Sequence, residues 1–145
     1  MGGRELTPAR PILLDTCVAI WLMNGDSILT AGREAISAAR AQNLGVFVSP
    51  ITAWEIATLT ARNRITLTLS SEAWFDAFLE LPGVRLAVMP PSVLIASRTL
   101  PGFPPKDPAD RVIAATARAL GYVIATRNGE LTGYAAAGHV EIVAC

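Results

Sequence analysis

Three carboxylates and one amide stand where a solvated surface charge is not expected. Asp15 is the only charged residue between Pro11 and Met23, and a carboxylate held in apolar surroundings is costly unless something compensates it. It either caps a helix that begins at Cys17 or does chemistry, and the two roles are compatible. Glu55 has Ile51 and Leu59 as its i−4 and i+4 neighbours, which turns it inward or toward a cleft on a largely apolar helix face. The alternative is a side chain at the rim of the core, stem buried and head in water. Asp110 falls among Ile113, Ala114 and Ala117, while Arg111 and Arg118 make the polar stripe of the same helix. Asn128, in Thr126-Arg127-Asn128, follows an apolar run and is expected to project from the same edge as Asp15.

Carboxylates gathered in one cleft repel each other, which raises their pKa values and destabilises the fold unless a cation is bound. Oxygen ligands suit Mg²⁺ or Mn²⁺, and Mg²⁺ uses only one or two carboxylates while keeping waters and taking phosphate oxygens from a substrate. The two cysteines, Cys17 and Cys145, and the single histidine, His139, have no zinc-site spacing. His139 is expected to be a surface or structural residue, and Trp54 to pack in the core. Asp107 reads best as the N-cap of the helix carrying Asp110.

The elements that position these residues alternate. Apolar runs at 12–14, 46–48, 84–89, 123–126 and 140–143 read as strands, several buried on both faces. Helices are expected at 17–23, 31–41, 51–62, 72–81, 93–99, 109–120 and 129–136. Ser49-Pro50 and Asp107-Pro108 supply starts, and Asn24-Gly25 and Gly121 supply stops. Such alternation predicts an α/β fold, with a mainly parallel sheet of four to five strands flanked by helices. Ligands then collect beyond the carboxyl ends of the strands.

With 145 residues, one domain over 11–145 is expected after an N-terminal tail at 1–10. The chain is 52% apolar, yet its longest apolar stretch, Pro11 to Met23, is broken by Asp15 and Thr16 and falls short of the ~20 residues a membrane span needs. No hydrophobic leader opens the sequence, so a cytoplasmic protein is the expectation. The excess of apolar residues suggests a partner interface or a dimer. Twelve basic and twelve acidic residues balance, so any nucleic-acid contact must come from a local patch.

The chain resembles PIN-domain proteins, specifically VapC-type toxins of bacterial toxin-antitoxin pairs. The resemblance runs from about Pro11 to Cys145. It rests on Leu13-Leu14-Asp15-Thr16-Cys17, on Ser49-Pro-Ile-Thr-Ala-Trp-Glu55-Ile, on Asp107-Pro-Ala-Asp110-Arg-Val-Ile-Ala-Ala-Thr-Ala, and on Ala125-Thr126-Arg127-Asn128. It implies a single PIN-like domain and a Mg²⁺- or Mn²⁺-dependent endoribonuclease toxin, neutralised by a VapB-like antitoxin. Asp15, Glu55 and Asp110 would hold the metal, with Thr16 and Ser49 as assisting hydroxyls and Thr126 orienting the fourth position. Most relatives carry an aspartate where this chain has Asn128, so the number of metals is open, as is compensation by Asp107 or Glu130. Lys106, Arg111 and Arg127 are candidates for RNA phosphate contacts, solvated charge being the alternative for each.

Two other readings compete. Asn128 could mark a catalytically weakened PIN domain that binds RNA or a partner. A receiver-like protein using Asp15 as acceptor would need a second acid two residues on and a lysine after a late strand. The one lysine is Lys106, and no Gly-rich phosphate loop occurs.

Overall fold

The computed structural model describes residues 8–145. Of the expected tail, residues 1–7 lie outside the described residues. Five strands, β1 (Ile12–Leu14), β2 (Val46–Val48), β3 (Val84–Leu86), β4 (Val123–Thr126) and β5 (Glu141–Ala144), form one sheet in the order β3-β2-β1-β4-β5. Every neighbouring pair is parallel. The chain fills one side of β1 with β2 and β3, then crosses to add β4 and β5 on the other. That reversal leaves a crevice beyond the carboxyl ends of β1 and β4, the place where open parallel sheets bind ligands.

Helices α1 (Thr16–Asn24), α2 (Thr30–Ala41), α3 (Pro50–Ala61), α4 (Ser71–Leu79), α5 (Pro91–Ala96), α6 (Pro108–Leu120) and α7 (Gly129–Ala136) cover the sheet. The two-residue period of a strand splits its side chains between two cores. Ile12 and Leu14 pack with Val46, Val48, Ile56 and Phe78, whereas Leu13 packs with Ile113, Ala117, Ile124 and Leu131. Gly121 closes α6 at φ 75°, a left-handed conformation that side chains resist.

Two strands depart from expectation. β3 ends at Leu86 instead of Met89, because it is an edge strand whose only partner, β2, offers three residues. One further bond, from Ala87 N to Val48 O, ends the ladder. β5 is displaced by one residue, and its exposed-to-intermediate pattern marks the opposite edge. Trp54, expected in the core, is 58% exposed, because it shares α3 with Thr52 and Ile56, the two residues whose face is buried. Among the described residues no helix is long and apolar enough to cross a membrane.

Candidate active site

Asp15 is the residue after β1. Its backbone N–H extends the ladder to Ala125 O, and its Oδ1 accepts from Val18 N at 2.9 Å as the N-cap of α1. Its Oδ2 accepts from the hydroxyl of Thr126, the last residue of β4. A cap and a cross-strand hydroxyl thus hold a carboxylate that is only 5% exposed.

Glu55 reaches the same place from α3. Its Oε1 accepts from the hydroxyl of Thr16, and Thr16 Oγ1 lies 3.1 Å from the hydroxyl of Thr52. Because Thr16 spends its proton on Glu55, Thr52 is the donor in that second bond. Thr52 is fully buried and was missed from the sequence. The available signal was a polar residue on the buried side of α3.

Asp110 stands in the first turn of α6, below Asp107, whose Oδ1 accepts from Ala109 N and Asp110 N as the N-cap. Asn128 meets it from the end of β4. Asn128 Nδ2 donates to Asp110 Oδ2 at 3.2 Å, while Asn128 Oδ1 accepts from Glu130 N and Leu131 N and so caps α7. The amide oxygen faces its own helix, and the NH₂ faces the acid.

Asp15, Thr16, Glu55, Asp107, Asp110 and Asn128 line one cleft of 360 Å³, together with Cys17, Trp21 and Arg127. Burial pushes the Asp15 and Glu55 carboxyls above the usual carboxylate range, against the hydrogen bonds from Thr126 and Thr16 that favour their charged forms. Asp110 is pushed from 3.8 to about 7, by burial first and then by the negative charges of Asp107, Glu55, Asp15 and Glu130. Among the described residues the one ion pair is Arg10–Glu141, so none of these acids is neutralised by a basic side chain there.

The PIN domain family profile matches residues 12–136. This chain belongs to the PIN-domain family. It is 34% identical over 124 residues to Ribonuclease VapC22 of Mycobacterium tuberculosis, covering 85% of this chain and 91% of that protein. Its fold is similar to that of VapBC2 from Rickettsia felis, solved bound to a DNA fragment from their promoter. That likeness has a TM-score of 0.64 at 13% identity, over 92% of this chain and 97% of the other. FitAcB from Neisseria gonorrhoeae is similar at a TM-score of 0.51 and 22% identity, over 90% and 95% of the two chains. At these identities the solved structures speak for the PIN fold.

Within this PIN domain, Asp15, Thr16, Glu55, Asp107, Asp110 and Asn128 come together as the sequence led us to expect. Thr126 binds both Asp15 and, through its Oγ1 at 2.9 Å, the backbone N–H of Asn128. The other candidates take these places. Ser49 does not line the cleft, and its hydroxyl caps α3 by accepting from Ile51 N. Arg111 is a structural clamp, since Nε, Nη1 and Nη2 donate to the carbonyls of Ser97, Pro105 and Arg98. Lys106 and Glu130 are not among the residues lining the cleft, and the Lys106 backbone N–H donates to Glu130 Oε2. Asn128 Oδ1 is not turned to the acids. His139 is structural as expected, its ring against Tyr134 at 4.7 Å.

Proposed function

We propose that this PIN domain is a Mg²⁺- or Mn²⁺-dependent endoribonuclease toxin that a cognate VapB-like antitoxin restrains. The observation that carries the reading is the convergence of Asp15, Glu55 and Asp110 on one cleft, each with its carboxyl held above the ordinary range. Like charges are placed together at a cost to the fold, and a divalent cation relieves that cost.

The donor set fits such a cation. It consists of carboxylate oxygens, the preferred partners of hard ions. Among the described residues no group of three or more His, Cys, Asp or Glu side chains stands close enough, as placed, to hold a metal ion, so the ion would draw on one or two carboxylates at a time and on water. An open arrangement suits Mg²⁺, which keeps several waters and takes phosphate oxygens. Asp15, Glu55 and Asp110 would hold it. When bound, the ion supplies positive charge to the phosphate and acidifies water.

The chain's own residues do the rest. Thr126 and Thr16 donate to Asp15 and Glu55, which favours their charged forms against burial and aims them, and the amide of Asn128 steers Asp110. In the hydrolysis, a water oxygen bonds to phosphorus, a carboxylate of the cleft takes the water's proton, and the departing ribose oxygen leaves with a proton from solvent. The antitoxin and a homodimer rest on the VapC resemblance. Exposed Trp54, Ile95 and Phe103 provide apolar surface for partners.

Asn128 favours a second reading, a weakened PIN domain that binds RNA or a partner without cutting, because it brings no negative charge. One experiment separates the two. Purified protein is incubated with single-stranded RNA and Mn²⁺, alongside Asp15→Ala. Cleavage that needs Mn²⁺ and disappears in the variant establishes the nuclease, whereas intact RNA with wild type overturns it.

A further inference from the structure

Arg127 is the one basic residue among those lining the acidic cleft, and it forms no ion pair there. Its guanidinium carbon lies 4.1 Å from the centroid of the Trp21 ring, and its Nη2 donates to Cys145 O at 3.0 Å. Both supports are rigid. Trp21 belongs to α1, the helix that Asp15 caps. Cys145 is pinned by its own N–H to Thr126 O, and its carbonyl also accepts from Leu29 N. The backbone of Arg127 is fixed as well, between buried Thr126 and the α7 cap Asn128. One guanidinium face and one donor are therefore occupied, and the other N–H groups have no partner among the described residues.

A cation kept beside four acids but paired with none of them is poised for an anion that arrives from outside. Stacking on Trp21 and the bond to the Cys145 main-chain oxygen hold it in place and leave further N–H groups over. The planar fork matches two oxygens of a phosphate, and a side chain already ordered loses little entropy on binding.

We propose that Arg127, stacked on Trp21 and tethered to Cys145, is the phosphate-gripping residue of this cleft and positions the RNA strand against the acids. The proposal rests on the nuclease reading for its ligand class. It makes Trp21 a positioning residue that acts through Arg127. It also separates Arg127 from Arg111, whose donors are committed to backbone carbonyls.

The test is fluorescence anisotropy with a labelled single-stranded RNA 12-mer in Mg²⁺ across a salt series. Asp110→Asn serves as the background, so that the strand survives. Adding Arg127→Gln should weaken binding by about tenfold, the effect of losing one charge-assisted contact. It should also lower the slope of log K against log salt by about 0.7, the value of one phosphate on a single strand. Arg127→Lys should recover part of the affinity, and Trp21→Leu should fall between wild type and Arg127→Gln. In otherwise wild-type protein, Arg127→Gln should raise KM for RNA far more than it lowers kcat.

Unchanged affinity and salt slope in Arg127→Gln would overturn the proposal. So would a melting temperature that drops alike in the Gln and Lys variants with the slope intact, the signature of a clamp between α1 and Cys145. If the Asp110→Asn protein binds RNA through Arg127 but wild type never cuts it, the nuclease reading fails and this one stands. If neither protein binds RNA, both fall.

Discussion

Asn128 shows how one atom can separate two chemistries. As an N-cap, asparagine and aspartate are nearly equal, so Asn128→Asp should keep α7 while exchanging a donor to Asp110 for a second negative charge. The amide now 3.2 Å from Asp110 Oδ2 would become a repelling carboxylate. Asp110 should then hold its proton to higher pH than its present value of about 7. Carboxyl NMR titration of wild type and variant reads that shift, and a fall in the Asp110 pKa would refute the repulsion. The same variant should lower the metal-free melting temperature at pH 8 and gain more from Mn²⁺ than wild type does.

At the scale of elements, the cleft is assembled from helix starts. Asp15 caps α1, Ser49 caps α3, Asp107 caps α6 and Asn128 caps α7. Three of these caps stand where a parallel strand hands over to a helix, which is also where the sheet leaves its crevice, while Asp107 follows the loop after α5. Arg111 performs the complementary task by tying α6 to the carbonyls of Ser97, Arg98 and Pro105 around α5 and its following loop. Arg111→Gln should cost about 1–3 kcal/mol through carbonyls left without donors. RNA affinity and its salt slope should stay as in wild type. Urea melts and the anisotropy series check the two halves, and a lowered slope would return Arg111 to the list of RNA contacts.

For the whole molecule, the acidic cleft is a linkage device. Asp110 moves from 3.8 to about 7 on folding, so between these values the folded state binds more protons than the unfolded chain. Stability from this group therefore falls as pH rises through the window, with the loss complete above its upper end. Asp15 and Glu55, both shifted upward, act in the same direction. Metal-free protein should melt at a lower temperature at pH 8 than at pH 5. Saturating Mn²⁺ should raise the melting temperature more at pH 8, where the acids are ionised. Calorimetry with and without chelator measures both, and a Mn²⁺ effect that is larger at pH 5 would contradict the carboxylate site.

The order of strands and helices, the parallel sheet and the acids of the cleft were legible in the sequence. Each is announced locally, by an apolar run of strand length, a Pro beside a capping residue, or a charge where none should be. Hydrogen-bond direction was not legible. That Asn128 turns its NH₂ to Asp110 and that Thr52 completes the hydroxyl chain behind Glu55 follow from contacts between residues far apart in the chain, whereas the caps made by Ser49 and Asn128 are bonds to residues two positions on. The three arginine and lysine candidates looked alike as charges. Only packing decided that Arg111 is spent on carbonyls while Arg127 lies on Trp21 with donors to spare, because a guanidinium's availability depends on which acceptors the fold brings within reach.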